Sequence, residues 1–287
     1  MLGNNSCLFR RVAIVGVGLV GGSLGLAIKK HRLAREVVGI ARPSSSLSLA
    51  LKNKTIDKAS HDIKRGLFDI DLIVLAAPTK AIISLIISIS GNLKRGCIIT
   101  DVGSTKEAIV EAAEKHLPNH AFFVGSHPLA GSEKKGVAFS REDLFQNSLC
   151  LITPTEKTNK SAAERVKTLW TKVGATVKTI SPKEHDKALA YISHLPHLLA
   201  YGLMGTIPDP HLEFASQGLK DSTRIASSDP EMWRDICMTN QTNIVKSLDD
   251  LAKNLSQVRK FIFSKDENSL TEHFKKSKHK RDGLDKT

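Results

Sequence analysis

The chain has 287 residues, a formal net charge of +13 and a hydrophobic content of 41%. That length is enough for two domains with a sizeable buried core. No apolar run is long enough to cross a bilayer, and the amino terminus lacks the apolar core of a signal peptide. Four scattered cysteines without a CxxC pair argue against a disulfide framework or a metal site, and they favour a reducing, cytoplasmic location.

The positive charge has two explanations, which are nucleic-acid binding and the handling of small anionic molecules. Part of the excess lies in the basic tail at residues 275–281, a pattern typical of a solvated terminus. Aromatic residues make up only 5% of the chain and do not alternate with basic ones, as they do in surfaces that stack bases. The composition therefore favours a small anionic ligand, and we expect no nucleic-acid, membrane or metal partner.

A β-branched apolar run at residues 12–15 breaks into glycines and then resumes with helical character. The glycines have G-x-G-x-x-G spacing, in which the first permits a tight turn and the second lets backbone N–H groups approach a pyrophosphate. The third lets the helix pack closely on the strand, and the pyrophosphate lies at the positive helix end. Because a second strand follows at residues 36–40, the stretch predicts a dinucleotide-binding unit. The expected contacts come from Gly16, Gly18, Leu19, Val20 and Gly21.

Strands and helices alternate through the first 180 residues. Helical segments at 107–116 and 162–172 separate some of the apolar runs. The alternation predicts a doubly wound parallel sheet, a Rossmann-type α/β domain over residues 1–180 that binds ligands beyond its carboxyl strand ends. Ala77 and Pro78 end one such strand, where we expect them beside the cofactor. Further strands are predicted at 71–78, 96–101, 121–125, 148–153 and 176–180.

The pattern changes at Ser181. Ser181, Pro182 and Glu184 form a helix start, with a capping serine, a proline at the first helical position and a glutamate closing a capping box. From there to about residue 276 no strand is predicted. The sequence therefore predicts an all-α second domain over residues 181–287. Helical spacing of apolar residues covers 186–204, 233–263 and 268–276.

The end of the second strand lacks the carboxylate that usually binds the adenosine ribose. Ala41 occupies that position, and Arg42 and Ser44 follow. A guanidinium pairs strongly with a 2′-phosphate, which a carboxylate would repel. The sequence therefore favours NADP over NAD. The alternative is that Arg42 stacks on adenine and that NAD binds without the acidic contact.

Five motifs occur together and in this order along the chain. They are residues 16–22, 101–106 (DVGSTK), 126–131 (SHPLAG), 193–197 (SHLPH) and 220–224 (KDSTR). With these motifs the chain resembles the prephenate/arogenate dehydrogenases of tyrosine biosynthesis over nearly its whole length, from about Arg11. The resemblance implies a homodimer that is intertwined through the helical domains.

The resemblance implies an oxidative decarboxylation. Hydride leaves C4 of a cyclohexadienol for the nicotinamide, the C4 hydroxyl proton is accepted by the protein, and CO2 departs as the ring becomes aromatic. His127 matches the family's catalytic histidine, since a neutral imidazole can accept this proton near pH 7. Ser104 matches a serine that contacts the same hydroxyl and the nicotinamide.

The resemblance also implies a substrate site. Arg224 matches the arginine that binds a substrate carboxylate, for which a planar, permanently charged fork is suited. Lys220, one helical turn earlier, is expected to reinforce the field. His197 matches a histidine at the substrate entrance, and Glu133 an acidic residue that gates the pocket by pairing with the arginine. Trp233 is expected to close the pocket or to pack in a dimer core.

Simpler roles remain open for these residues. Arg224 could instead form an ion pair with Asp221 or Asp229, and Lys220 and Glu133 could simply face solvent. The reaction expected is conversion of prephenate to 4-hydroxyphenylpyruvate with NADP or NAD. One alternative is arogenate dehydrogenation to tyrosine. Others are a related β-hydroxyacid dehydrogenase and, outside enzymes, a dinucleotide-sensing or nucleic-acid-binding module.

Overall fold

The computed structural model describes residues 7–43, 45–131 and 134–284. They belong to two compact units, Met1–Asn240 and Gln241–Thr287. The described residues of the first unit form eight strands: β1 (Phe9–Val15), β2 (Ala34–Ile40), β3 (Lys58–Ser60), β4 (Leu72–Leu75), β5 (Ile98–Asp101), β6 (Phe122–Pro128), β7 (Leu149–Thr153) and β8 (Thr176–Thr179).

Ten of the α-helices lie in the first unit and two in the second. Those of the first unit are α1 (Leu19–Lys30), α2 (Ser45–Lys52), α3 (Ile63–Gly66), α4 (Thr79–Ile89), α5 (Glu107–His116), α6 (Lys160–Lys172), α7 (Pro182–Leu189), α8 (Leu195–Thr206), α9 (Gln217–Thr223) and α10 (Pro230–Thr239). Those of the second unit are α11 (Gln241–Phe263) and α12 (Glu267–Leu284).

All eight strands form one sheet in the order β3-β2-β1-β4-β5-β6-β7-β8. The order reverses between β1 and β4, which is the switch point where doubly wound sheets bind ligands. The predicted Rossmann-type fold is therefore confirmed. Short β3 and helices α2, α3 and α4 were not predicted, although the apolar run at residues 81–87 lies within α4.

Strand β4 and the carboxyl-terminal halves of β1 and β2 are apolar because both faces of the sheet are covered there. Val12 and Ile14 of β1 are packed in one buried layer, whereas Ala13 and Val15 are packed in the other. Side chains alternate between the two faces of a strand, so a run without polar residues is expected where both faces are buried.

One strand departs from the expected parallel arrangement. Strand β7 pairs antiparallel with β6, whereas β8 pairs parallel with β7. In the described parts of the connection, residues 129–131 and 134–148, there is no α-helix but a 3₁₀ turn at Val137–Phe139, and a parallel neighbour requires a crossover. The sheet is therefore mixed, and the connection remains at the edge where β6 ends.

The helix start at Ser181 is confirmed, because the Ser181 side chain accepts a hydrogen bond of 3.2 Å from the Glu184 backbone N–H. A π-helical turn at Ala190–His194 follows α7. The helical spacing predicted over residues 233–263 is divided between two helices, α10 and α11. Asn240 leaves helical conformation, ends α10 and uses its side chain in buried hydrogen bonds.

In the second unit α11 and α12 are joined by a short turn. Helix α11 carries a row of exposed apolar side chains spaced by three and seven residues. This spacing puts them on one side of the helix. They are Val245, Leu248, Leu255 and Ile262.

Candidate active site

A cleft of about 450 Å³ lies at the edge where the parallel strands β1, β4, β5 and β6 end. Most residues predicted to bind the cofactor or to carry the chemistry line this one cleft. The connection at residues 129–148 also contributes to it. The predicted residues in its wall are Gly18, Leu19, Val20, Gly21, Ala77, Pro78, Ser104 and His127.

The glycine turn is shaped for a phosphate group. Gly16 has a φ of +100°, and a Cβ there would meet the carbonyl oxygen of Ala76. A Cβ on Gly18 would meet nothing within 4 Å, so the backbone is open there. Helix α1 begins at this point with no side-chain cap and no acidic residue in its first turn. Free N–H groups and the positive helix end fit a dinucleotide pyrophosphate.

The end of β2 presents Arg42, which is exposed and does not line the cleft among the residues described. Ala41 occupies the position of the usual carboxylate, and its carbonyl accepts a hydrogen bond of 3.2 Å from His61 Nδ1. Ser44 lies outside the described residues.

His127 lies within β6, which extends to Pro128, whereas the sequence predicted that this strand ends at residue 125. It pairs with Leu151 of β7 and is 8% exposed. Burial lowers the pKa of His127 well below its ordinary value, and the charges of His185, Lys106 and His194 lower it further. The imidazole is therefore neutral at pH 7, which suits a proton acceptor.

His127 is held by two residues that the sequence did not indicate. His127 Nδ1 is 2.9 Å from His185 Nε2, and His185 Nδ1 is 2.8 Å from Asp186 Oδ1. Both partners are fully buried. Asp186 also accepts hydrogen bonds from the backbone N–H groups of Lys106, at 2.7 Å, and Glu107, at 3.0 Å. Its carboxylate thus caps α5 from 80 residues away.

A buried ion pair lies beneath this network. Lys106 and Asp101 are both 0% exposed and form a direct side-chain pair. Lys106 Nζ also donates to the Ser126 carbonyl at 3.0 Å. Asp101 accepts from the backbone N–H of Gly103 at 2.8 Å and of Ser126 at 3.1 Å. The pair therefore ties the turn containing Ser104 to the strand residue preceding His127.

His197 and Trp233 form a second cluster. Their rings stack with centroids 3.9 Å apart at 25°. His197 Nδ1 donates to the Ser193 carbonyl at 2.9 Å. Burial lowers the pKa of His197; the Ser193 carbonyl opposes this decrease, and the nearby positive charge of Arg224 adds to it. Arg224 therefore lies near this stack.

Two buried N–H groups in this cluster lack hydrogen-bond partners within the described part of the chain. One is the indole Nε1–H of Trp233, which is 6% exposed. The other is His194 Nε2, because Asn240 Nδ2 donates to His194 Nδ1 at 3.2 Å and leaves the ring proton on Nε2. Leaving buried donors without partners costs free energy.

The remaining predicted residues lie apart from the cleft wall. Arg224 is exposed and begins a 3₁₀ turn after α9, whereas Lys220 is exposed within α9. Neither lines the cleft in the ranges described, and His197 and Trp233 do not line it either. Trp233 packs within its own chain. Glu133 lies outside the described residues.

A salt bridge crosses the cleft that sequence reasoning did not anticipate. Lys135 Nζ is 2.6 Å from Asp229 Oδ2, and both residues line the cleft. The hydrogen bond from Lys135 is the main reason that the pKa of Asp229 is lowered. Asp229 also caps α10 through the Glu231 N–H at 2.8 Å. The bridge thus joins the connection after β6 to the start of α10.

Over residues 7–43, 45–131 and 134–284, no three His, Cys, Asp or Glu side chains are grouped so that they could hold a metal ion. Within the same ranges, no helix has both the length and the apolar character needed to cross a bilayer.

Two family models cover most of the chain. The prephenate dehydrogenase nucleotide-binding domain matches residues 24–179, and the prephenate dehydrogenase dimerization domain matches residues 181–276. The chain belongs to the prephenate dehydrogenase family. It is therefore a dehydrogenase with a nucleotide cofactor, which decides against the β-hydroxyacid dehydrogenase and non-enzyme alternatives.

Individual relatives of this prephenate dehydrogenase family member agree with that assignment. Prephenate dehydrogenase of Bacillus subtilis is 36% identical over 95% of this chain and 76% of its own. A crystal structure of prephenate dehydrogenase from Aquifex aeolicus, in complex with hydroxyphenyl propionate and NAD+, is 34% identical, with a TM-score of 0.91 over 96% of this chain and 98% of its own. Arogenate dehydrogenase of Synechocystis is 28% identical, with a TM-score of 0.82 over 96% and 99%.

Proposed function

We propose that the protein oxidatively decarboxylates prephenate to 4-hydroxyphenylpyruvate. The observation that carries this proposal is His127, a neutral imidazole in the wall of the cleft that also contains the glycine turn. A proton acceptor beside the dinucleotide site is what the oxidation of a secondary alcohol requires. The names of the Bacillus and Aquifex relatives support the same substrate.

His127 and Ser104 have different roles at the reacting carbon. The dinucleotide, when bound, supplies the acceptor for the hydride that leaves C4. His127 accepts the C4 hydroxyl proton, so the C–O bond gains carbonyl character while the C–H bond breaks. Ser104 lines the same cleft and orients that hydroxyl. Loss of CO2 from C1 then makes the ring aromatic, which drives the reaction forward.

Arg224, His197 and Trp233 form the substrate end of the site. Arg224 binds a substrate carboxylate through its guanidinium, and Lys220 adds positive charge nearby. The N–H groups of Trp233 and His194, which lack partners among the described residues, would supply further donors for the same anionic substrate. Glu133, which we assign to gating, completes the proposed set.

The cofactor preference is for NADP. Arg42 and Ser44 follow β2, and Ala41 stands where an NAD-selecting carboxylate is expected. Arg42→Ala is expected to weaken NADP binding by about tenfold or more and to leave NAD binding nearly unchanged. Equal losses for both cofactors would contradict the 2′-phosphate role.

We also propose that residues 1–180 and 181–287 are the two domains and that the protein is a homodimer through the helical one. The exposed apolar row on α11 and the name of the matching dimerization domain support this. The four cysteines are free, which agrees with a reducing cytoplasmic location.

Arogenate is the second candidate substrate, because the Synechocystis relative is an arogenate dehydrogenase. The deciding experiment follows reduced-cofactor formation spectrophotometrically with prephenate or arogenate and with NAD or NADP. We expect the highest kcat/KM with prephenate and NADP. A higher kcat/KM with arogenate would reverse the substrate assignment, and no turnover in all four combinations would refute the proposed reaction.

A further inference from the structure

The hydrogen bonds behind His127 have directions that the structure determines. The Asp186 carboxylate receives backbone N–H groups on both oxygens, from Lys106 on Oδ1 and from Glu107 on Oδ2. A carboxylate in this position accepts and does not donate. His185 Nδ1, which is 2.8 Å from Oδ1, must therefore carry a proton.

The proton on His185 Nδ1 fixes the rest of the chain of bonds. His185 is 0% exposed, and burial lowers its pKa although the hydrogen bond to Asp186 opposes the decrease. A neutral imidazole with a proton on Nδ1 has a lone pair on Nε2. That lone pair accepts from His127 Nδ1 at 2.9 Å. His127 Nδ1 therefore carries a proton, and Nε2 is its proton-accepting nitrogen.

We propose that His185 and Asp186 are positioning residues that hold His127 in this one tautomer and ring orientation. The inference rests on the proposed function, since it concerns the base of that reaction. When His127 Nε2 gains the substrate proton, the Nδ1–H bond to His185 remains, and Asp186 orients and polarises His185. Without the acceptor, the proton could move to Nε2, and the imidazole could no longer act as a base.

The other charged groups around His127 do not provide an alternative acceptor for Nδ1. Lys106 donates to Asp101 and to the Ser126 carbonyl. His194 Nδ1 accepts from Asn240 Nδ2, which also donates to the Asp186 carbonyl at 2.7 Å. Asp186 is thus hydrogen-bonded both to the start of α5, through Lys106 and Glu107, and to Asn240 at the end of α10. The position of His185 depends on this shared anchor.

Two substitutions at His185 separate hydrogen bonding from packing. His185→Leu removes the acceptor, and we expect kcat to fall about 10²-fold while dinucleotide affinity stays the same. His185→Gln can offer Oε1 near the position of Nε2, so we expect kcat to stay within about tenfold of the original. His120→Leu is the control, because the hydrogen bond of the His120 ring goes to the Leu93 carbonyl, at 3.2 Å, and His120 does not line the cleft among the described residues.

Histidine side-chain ¹⁵N NMR on the full-length protein measures the tautomer without relying on turnover. His127→Asn assigns the signals. We expect the His127 ring to be protonated on Nδ1 and unprotonated on Nε2 at pH 7.5, and His185→Leu to produce a mixture of both tautomers. Dinucleotide binding checks that each variant is folded. If His185→Leu does not fold, the unsubstituted protein and His185→Gln decide the tautomer.

The outcomes are distinct. A proton on His127 Nε2 in the unsubstituted protein overturns the proposal, as does full kcat in His185→Leu. Equal losses in the Leu and Gln variants overturn it too, because they would reduce His185 to a packing role. If no substrate is turned over but Nδ1 is protonated and the Leu variant mixes the tautomers, the proposed reaction fails while the positioning of His127 stands.

Discussion

Replacing Lys106 by methionine tests whether the buried ion pair supports the active site. Lys106 and Asp101 are both 0% exposed, and methionine preserves most of the side-chain volume. The substitution leaves the Asp101 carboxylate without its cation in the protein interior. It also removes the hydrogen bond of 3.0 Å to the Ser126 carbonyl. Breaking a buried pair on one side typically costs about 3–5 kcal/mol, so we expect the free energy of unfolding to fall by that amount.

The assay is urea denaturation followed by circular dichroism, at one protein concentration because oligomerisation affects the midpoint. Lys30→Met is the matched control. Lys30 pairs with Glu142 at 2.6 Å, but the side chains are 42% and 53% exposed. An exposed pair contributes about 0–1 kcal/mol, so this variant should lose little. Adding Asp101→Asn to Lys106→Met should recover part of the loss, because the uncompensated charge disappears.

The same variant has a kinetic consequence. The positive charge of Lys106 helps to lower the pKa of His127, so its removal should raise that pKa. We expect the acid limb of the kcat/KM profile to move to higher pH. If Lys106→Met is no less stable than Lys30→Met and its acid limb stays in place, the account of a charged, supporting pair is wrong.

Three further predictions concern the histidines and the substrate arginine. His127→Asn should lower kcat about 10²–10⁴-fold without changing dinucleotide affinity in a fluorescence titration; normal turnover would exclude His127 as the base. Arg224→Ala should raise KM at least about tenfold, and an unchanged KM would place the carboxylate elsewhere. Burial lowers the pKa of His194 from 6.5 to about 4, so the unfolded state binds a proton that the folded state rejects in that range. The free energy of unfolding should therefore fall by about 3 kcal/mol between pH 6.5 and pH 4. Urea denaturation at the two pH values should show a smaller fall for His194→Asn. An equal fall in the variant and the unsubstituted protein would refute this reasoning.

The sequence predicted those features that depend on local patterns. The glycine spacing from Gly16 to Gly21 and the apolar strands specify a turn and a two-sided sheet, because each needs only near neighbours in the chain. The cap at Ser181 is equally local. The carboxyl ends of parallel strands lie at one edge of the sheet, so the loops that follow these strands meet there. For this reason His127 and Ser104 were expected at the same edge.

The sequence did not predict contacts that depend on distant packing. His185 and Asp186 are ordinary helix residues by pattern, and only the fold brings them to His127 and to α5. Lys106 belongs to the motif at residues 101–106, but the spacing of that motif does not indicate that Lys106 is buried with Asp101. The sequence indicates the antiparallel direction of β7 only weakly, because residues 129–148 lack the apolar periodicity of a crossover helix.

The position of Asp186 has a consequence for how this molecule can be divided. A fragment that ends at residue 180 would leave the amide groups of Lys106 and Glu107, and His127 Nδ1, without their present acceptors. The nucleotide-binding half therefore depends on residues beyond 180 for its buried hydrogen bonds, although it contains all eight described strands of the sheet. Recombining it with a foreign helical half would preserve this architecture only if the incoming segment began with a histidine–aspartate pair in the same register.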